Sequence, residues 1–305
     1  MNSAFKEMLP SALVSNTLAL CGNIGERWLR DLPRIIHSLE EDWSITVEQP
    51  FVNGEYNYVA SAILKGGTPT VLKIAPPRDD LDNYSEAKFL RTLNGTGVVM
   101  LLREDRGLRA MLLERAVPGQ TVTRIFDNDE SSAVPVAIEL LKRLHREPPP
   151  ELSAIILLDD WFDNLRRCQA TDFPAHYAVK ALSLYEQLSG QSERIGYLHG
   201  DFHPDNIVSA ERSPFLAIDP KGIVGHIGYE IAVFLNNFHW WQEGKRDIRQ
   251  RLDVAVRQFS HAFDIDPYEL RQWAFAQMVL SAWWMFDEMS EIYANEVVKA
   301  DIWDV

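Results

Sequence analysis

The chain contains little cysteine and comparatively little basic charge. Its two cysteines, Cys21 and Cys168, are too few for a disulfide framework, so we expect a reducing, cytoplasmic environment. The sequence holds 30 Lys and Arg residues against 44 Asp and Glu residues, which gives a net charge of −14. A nucleic-acid-binding protein would need a basic face, so the composition argues against a nucleic-acid partner. The acidity suits a cationic small substrate, although solubility alone would explain it equally well.

Long apolar runs are also absent. No segment reaches the roughly 20 apolar residues of a membrane-spanning helix, so we expect no membrane partner. The segment Ala12–Cys21 resembles the core of a signal peptide, but the polar stretch Ser15–Thr17 interrupts it. Leu20 is bulky at a position where a signal peptide ending in a lipoprotein cysteine carries a small residue. We interpret this segment as an amphipathic lead into the first domain, and nothing in the sequence implies an obligate protein partner.

The most informative segment is Leu198–Asn206, with the sequence LHGDFHPDN, followed by Ile218-Asp219-Pro220. Asn206 lies five residues after Asp201, and Asp219 lies eighteen residues after Asp201. Phosphoryl transfer needs a carboxylate to accept the proton of the attacking hydroxyl and oxygen ligands to hold magnesium. The same offsets occur in protein kinases. The pattern therefore predicts Asp201 as the catalytic base and Asn206 with Asp219 as magnesium ligands.

An upstream lysine fits the same chemistry. Lys73 interrupts the short apolar strand Val71–Ile74, and a lysine inside a buried strand is costly unless it meets an anion. In a kinase that anion is a nucleotide phosphate, with a helical glutamate as the resting partner, here Glu86. The alternative is an edge-strand lysine that extends to water. We expect the Lys73–Glu86 pair to be partly solvated, so that its loss would not unfold the protein.

These motifs resemble a known family. His-Gly-Asp-x-His-x-x-Asn over His199–Asn206 is similar to the aminoglycoside phosphotransferase branch of the kinase-like fold. The run Ala217–Asn236, AIDPKGIVGHIGYEIAVFLN, resembles the streptomycin 6-kinase and hydroxyurea phosphotransferase group. The resemblance extends from about Trp28 to the last helix. It implies a two-lobed α+β kinase-like fold, with a small antiparallel-sheet N-terminal lobe and a mainly helical C-terminal lobe. It also implies transfer of phosphate from ATP, with Mg²⁺, to an alcohol group of a streptomycin-type aminoglycoside, in antibiotic resistance or secondary metabolism.

The resemblance implies further nucleotide contacts. Asn53 and Gly54 would belong to the hairpin that covers the phosphates, although this hairpin has one glycine where protein kinases have three. In the linker, the carbonyl of Leu113 and the N–H of Arg115, which flank Glu114, would bind adenine. The corresponding division is an N-terminal nucleotide-binding lobe over residues 1–113, a hinge over 114–119 and a C-terminal catalytic lobe over 120–305.

Three further residues in or near the motif are predicted to support the site. We expect His199 to brace the loop through hydrogen bonds, and His203 to have a similar structural role. Lys221 follows Asp219 by two residues, as in the Asp-Pro-Lys of the family. It has two interpretations, a contact to phosphate or substrate and a solvated lysine after a turn.

The acceptor site is predicted at the C-terminal end of the chain. A helix over Tyr268–Lys299 would bury one stripe and carry four candidate acceptor residues on its other faces: Trp284, Asp287, Glu288 and Glu291. Aromatic planes beside carboxylates suit a guanidinium- or amine-bearing sugar. The alternative is a solvated helix face with Trp284 packed against a neighbouring helix. In that case we expect the pocket near Asp159-Asp160-Trp161 and the Glu230 helix.

The coarse element order is mixed, then helical. Strands are predicted at 46–51, 59–64, 70–74, 98–104 and 110–114, and the pair 195–198 and 215–218 flanks the Asp201 motif. Helices are predicted at 24–41, around Glu86, and at 134–146, 155–169, 176–188, 229–237, 246–263 and 268–299. Three other functions remain open: a kinase of a metabolite such as choline, homoserine or a sugar amine; a non-catalytic nucleotide-binding scaffold; and a metallohydrolase centred on His199 and His203.

Overall fold

The chain forms two compact units, Met1–Val117 and Pro118–Val305. The structure, a computed structural model, describes residues 3–52, 54–78, 82–126, 129–145, 156–190, 194–241, 248–289 and 291–305. Asn53 lies outside the described residues, and so do the side chains of Glu288 and Glu291.

The first unit is built on a five-stranded antiparallel sheet. The strands are β1 (Ile45–Pro50), β2 (Tyr58–Leu64), β3 (Pro69–Ile74), β4 (Leu101–Asp105) and β5 (Ala110–Glu114), in the order β1-β2-β3-β5-β4. Its helices are α1 (Ser3–Met8), α2 (Ser11–Trp43) and α3 (Asp82–Leu93). The predicted strands and the Glu86 helix lie at these positions, with small shifts at their ends.

The long helix α2 covers the sheet with a narrow apolar face. Leu29, Leu32 and Leu39 are buried against sheet residues such as Tyr58 and Leu72. Spacings of three and seven residues place them on one side of a helix. The segment Ala12–Cys21 is the helical beginning of α2, and the backbone departs from helical geometry at Gly22.

The second unit combines helices with two three-stranded sheets. One sheet has the order β10-β9-β6, and its strands are β6 (Pro118–Thr121), β9 (Ile207–Ala210) and β10 (Phe215–Ala217). The other has the order β7-β11-β8, and its strands are β7 (Ile156–Leu157), β8 (Ile195–Leu198) and β11 (Ile223–His226). The helices are α4 (Val122–Phe126), α5 (Glu130–Leu144), α6 (Leu158–Leu165), α7 (Ala175–Ser189), α8 (Ile227–Trp241), α9 (Ile248–Phe263) and α10 (Pro267–Met289).

The two strands predicted to flank the Asp201 motif are present as β8 and β10. They lie in different sheets. Strand β9 follows the motif directly and pairs with β10, while β11 pairs with β8. Strands β9 and β11 were not predicted, and which strands pair is set by the packing of distant segments, which local periodicity does not report.

The helix predicted over Tyr268–Lys299 is present, but its predicted C-terminal end is wrong. Helix α10 ends at Met289, and residues Glu291–Trp303 form a 3₁₀ segment. Trp273, Phe275 and Gln277 are all buried, so α10 is covered on several faces and not along one stripe. The extent of a helix is read from the alternation of its apolar and polar faces. A helix that is apolar on nearly all sides lacks this alternation, so its end is not visible in the sequence.

Two further observations concern the whole chain. Across the ranges that the structure describes, no helix combines the length and apolarity needed to cross a membrane. Both cysteines are free thiols, with Cys168 buried and Cys21 partly exposed.

The close approach of α8 and α10 gives a test of the packing. A Cβ atom added to Gly228 would lie 2.3 Å from Cδ1 of the fully buried Trp273. We expect Gly228→Ala to lower the free energy of unfolding by about 1–3 kcal/mol, the usual cost of overpacking. Urea denaturation followed by circular dichroism measures this. Gly190→Ala is the control, because the nearest atom to its added Cβ is 3.9 Å away. Equal stability of the two variants would contradict the packing described.

Candidate active site

The Asp201 loop, residues His199–Asn206, has at its second position a glycine that no other residue can replace without strain. Gly200 has φ +82°, in the left-handed region. A Cβ at this position would lie 3.1 Å from Cβ of Lys221, 3.2 Å from Cη2 of Trp161 and 3.3 Å from Cγ1 of Ile223. The turn before Asp201 therefore requires glycine for both its backbone conformation and its surroundings.

His199 is buried and links the loop to the chain after β10. Its Nε2 lies 2.8 Å from the carbonyl oxygen of Ile218, and its Nδ1 accepts the N–H of Asp201 at 3.3 Å. Because Nδ1 accepts, the proton of the neutral ring belongs on Nε2. Burial lowers the pKa of His199 below its usual value, which favours this neutral form. The imidazole thus contacts both its own loop and the segment after β10.

Asp201 and Asn206 are joined through the Asp201 backbone. Nδ2 of Asn206 donates to the Asp201 carbonyl at 2.9 Å, and the backbone N–H of Ile218 donates to the Asn206 carbonyl at 2.9 Å. The Asp201 side chain remains 37% exposed, with Nε2 of His203 at 3.7 Å from Oδ1. The loop therefore fixes the Asp201 backbone and leaves its carboxylate accessible.

Glu230, in the first turn of α8, accepts two backbone hydrogen bonds from the loop. Its Oε1 accepts the backbone N–H of His199 at 2.7 Å, and its Oε2 accepts the backbone N–H of Gly200 at 2.8 Å. The side chain is fully buried. The sequence predicted Glu230 only as part of an alternative acceptor pocket, but both of its oxygens accept hydrogen bonds from the loop. A single acid inside the apolar run of α8 was the signal available.

Asp219 and Lys221 follow β10. Asp219 is exposed and has φ +57°, whereas Lys221 is half-buried and its backbone N–H donates to the His199 carbonyl at 2.6 Å. The amide oxygen of Asn206 and the carboxylate of Asp219 are hard oxygen donors of the kind that bind Mg²⁺. Among the described residues, no group of three or more His, Cys, Asp and Glu side chains is placed to hold a metal ion.

In the first unit, Lys73 on β3 and Glu86 on α3 form a two-fold contact. Nζ of Lys73 lies 2.9 Å from Oε1 and 2.7 Å from Oε2 of Glu86. The two side chains are only 5% and 7% exposed. The expectation of a partly solvated pair is therefore wrong: β3 is an inner strand of the sheet, between β2 and β5, and α3 places the carboxylate directly on the ammonium group.

The remaining predicted nucleotide residues lie at the ends of strands. Gly54 is in the turn between β1 and β2, and its N–H faces the Phe51 carbonyl at 3.4 Å. Leu113 and Glu114 end β5, and Arg115 follows, half-buried. Glu114 anchors this end, because its backbone N–H donates to the Met100 carbonyl at 2.8 Å and its carboxylate accepts the Met100 N–H at 2.9 Å.

The predicted acceptor residues are separated by the structure. Trp284 is half-buried and contacts Trp161 edge to face, with ring centroids 5.1 Å apart. Asp287 is exposed and lies 3.8 Å from the guanidinium of Arg167. The side chains of Glu288 and Glu291 are outside the described residues. The structure thus brings Trp284 and Trp161 together, although the sequence predicted them for two alternative pockets.

Comparison with known proteins decides the family. The family described as aminoglycoside/hydroxyurea antibiotic resistance kinase matches residues 43–288. The chain belongs to this family. It is 29% identical to the streptomycin 6-kinase of Streptomyces glaucescens, over 92% of each chain. It is 28% identical to the hydroxyurea phosphotransferase of Kitasatospora aureofaciens, over 92% of this chain and 81% of that protein.

The fold of the kinase is also shared with solved structures. A choline kinase from Streptococcus pneumoniae superposes with a TM-score of 0.63 at 13% identity, covering 88% of this chain and 97% of that one. The chain therefore has a kinase-like fold and is a small-molecule kinase, as the Asp201 motif predicted.

Removal of Lys73 tests the burial of its pair with Glu86. Lys73→Ala leaves a carboxylate buried without its cation, and we expect the free energy of unfolding to fall by about 3–5 kcal/mol. The matched variant is Lys73→Met with Glu86→Gln, which removes both charges and keeps similar volumes. We expect it to recover most of the loss in urea denaturation. A wild-type stability for Lys73→Ala would mean that the pair is solvated after all.

A second test concerns the carboxylate beneath the Asp201 loop. Glu230→Gln replaces one acceptor oxygen with an NH₂ group that faces a backbone N–H. We expect a loss of about 1–3 kcal/mol in stability, because a buried donor is left without a partner. We also expect a fall in kcat that exceeds any change in the KM for ATP. Glu211→Gln, at an exposed position after β9, is the control. Unchanged kcat and stability in Glu230→Gln would exclude a supporting role for Glu230.

Proposed function

We propose that this kinase transfers the γ-phosphate of ATP to a hydroxyl group of a streptomycin-type aminoglycoside and thereby confers resistance to it. The observation that carries the proposal is the Asp201 loop, in which His199, Asn206 and Glu230 fix the backbone and leave one carboxylate accessible. The similarity to streptomycin 6-kinase over 92% of each chain supports the choice of acceptor.

Asp201 is the proposed catalytic base. Its carboxylate accepts the proton of the acceptor hydroxyl and orients the oxygen toward the phosphorus. The loop positions the base: hydrogen bonds on the Asp201 N–H and carbonyl hold the main chain, so this backbone does not have to be ordered when the acceptor binds. His203, whose ring lies near the carboxylate, remains a supporting residue in this proposal.

Asn206 and Asp219 are the proposed Mg²⁺ ligands. The amide nitrogen of Asn206 is held by the Asp201 carbonyl, which fixes the orientation of the amide and reserves its oxygen for a cation. Asp219 supplies an exposed carboxylate. An amide and one carboxylate suit Mg²⁺, which takes few protein ligands and completes its shell with water and phosphate oxygens. When bound, the ion neutralises developing charge on the phosphates.

Lys73 is the proposed phosphate-binding residue, oriented by Glu86. We assign Asn53 and Gly54 to the phosphate-covering turn, and Leu113 to Arg115 to adenine binding through main-chain groups. We further propose that residues 114–119 act as a hinge between residues 1–113 and 120–305. Lys221, beside Gly200, is assigned to phosphate or acceptor. A cationic acceptor and a cytoplasmic location complete the proposal.

Two variants and an acceptor panel test this function. Purified protein is assayed for ATP consumption with streptomycin, other aminoglycosides, hydroxyurea, choline and sugar amines. We expect turnover with streptomycin, and Asp201→Ala should reduce it by about two to four powers of ten while ATP binding persists. Asp219→Ala should abolish the Mg²⁺ dependence of ATP binding, measured by calorimetry.

Each outcome has a distinct meaning. Turnover with choline or a sugar amine, and none with any aminoglycoside, would show that the proposed acceptor is wrong and that the proposed kinase chemistry is right. Wild-type turnover by Asp201→Ala would remove Asp201 as the base.

A further inference from the structure

We infer that Trp161 and Trp284 form an aromatic wall of the acceptor site, and that this wall selects acceptors carrying a planar cation such as a guanidinium. The inference rests on the proposed function, since it names the chemical class that the same site accepts. Four observations within the second unit support it: the position of the pair, its exposure, its rigidity and the state of the neighbouring carboxylates.

The position of Trp161 is set by the Asp201 loop. The Cη2 atom of its indole lies 3.2 Å from the place that a Cβ of Gly200 would occupy. Gly200 directly precedes Asp201, so the edge of the indole lies against the backbone next to the proposed base. Tyr229 connects the two further: its ring contacts Trp161 at a centroid distance of 5.9 Å. Burial and the negative charge of Asp201 both raise the pKa of the Tyr229 hydroxyl.

The exposure of the pair distinguishes it from the other indoles. Among the tryptophans whose side chains the structure describes, Trp161 and Trp284 are the ones left half-buried. The others are buried: Trp28, Trp43, Trp273, Trp283 and Trp303. An indole is a large apolar group with an electron-rich face, and these two rings meet edge to face at 87° with part of each side chain left exposed.

Hydrogen bonds and ring stacking hold the helix that carries Trp161. Asp160 accepts the N–H of Leu157 at 2.8 Å and so fixes the first turn of α6, which carries Trp161. Phe162 stacks on Tyr185 at 3.9 Å, and the Tyr185 hydroxyl donates to Asp159. A site assembled before the ligand arrives loses less entropy on binding than a mobile one.

The carboxylates around the wall are already engaged. Asp159 and Asp160 serve Tyr185 and the start of α6, and Asp287 lies beside Arg167. Cation recognition here therefore relies on the indole faces more than on these acids. Guanidinium groups stack on indole better than compact ammonium groups do, because they are planar and weakly hydrated. The wall thus favours a guanidinium-bearing ring whose hydroxyl reaches Asp201.

Substitution of each tryptophan tests the wall. In Trp161→Leu and Trp284→Leu we expect the KM for streptomycin to rise by about 5- to 30-fold, the scale of a lost cation–π contact. The KM for ATP should stay within about twofold. Trp161→Phe and Trp284→Phe should recover part of the loss, since phenyl is a weaker cation–π partner than indole. Tyr268→Leu, which removes an exposed ring at the far end of α10, should leave both KM values unchanged.

A binding measurement separates this inference from the proposed function. Calorimetric titration of streptomycin into wild-type protein and each variant reports on the wall even without turnover. If wild type phosphorylates no aminoglycoside, the proposed function fails, but weaker binding to the leucine variants still supports the wall. Wild-type affinity in Trp284→Leu overturns it, and this variant decides should Trp161→Leu fail to fold. A rise in KM for Asp287→Asn with none for either leucine variant would also overturn it, by assigning recognition to the carboxylate.

Discussion

Two backbone N–H groups at the start of the Asp201 loop donate to the two oxygens of one buried carboxylate, Glu230. A buried carboxylate is costly unless hydrogen bonds compensate for its desolvation, and an unpaired buried N–H is costly as well. Each group therefore requires the other. The consequence is that the first turn of α8 and the turn at Gly200 keep one relative position. The loop geometry that presents Asp201 depends on this contact.

The rest of the loop extends the same principle. Nδ1 of His199 accepts a hydrogen bond from the Asp201 N–H, and Nε2 contacts the Ile218 carbonyl. The side-chain amide of Asn206 donates a hydrogen bond to the Asp201 carbonyl. These bonds tie the loop to the segment that carries Asp219. Proposed base and proposed metal ligands are thus positioned by one hydrogen-bonded unit. A substitution at His199 or Glu230 would therefore shift the proposed base and both proposed metal ligands, because the hydrogen bonds share the same short stretch of backbone.

Aromatic packing organises the region beside this loop. Trp161 lies against Gly200, Tyr229 lies against Trp161, and Gln277 of α10 lies close enough to the Tyr229 hydroxyl to affect its pKa. Gln277 also accepts from Asn236, whose amide oxygen accepts the indole N–H of Trp303. The 3₁₀ segment at the end of the chain is thereby joined through buried polar groups to the residues next to the proposed acceptor site. Buried hydrogen bonds of this kind favour a single arrangement of a core.

The sequence by itself determined the chemistry and the architecture of this kinase. The spacing of Asp201, Asn206 and Asp219, together with Lys73, predicted a kinase, and the family resemblance carried by these motifs implied the antiparallel sheet. These signals are local: each lies in a short stretch of residues whose type and spacing are set by the reaction or by the backbone period.

Only the tertiary structure decided which side chains meet. It placed Glu230 under the loop, buried the Lys73–Glu86 pair that was expected to be solvated, and ended α10 at Met289. It also joined Trp284 to Trp161, which are far apart in the sequence. Such contacts depend on how helices and strands pack, and a single sequence carries no period that reports burial on a helix covered from all sides.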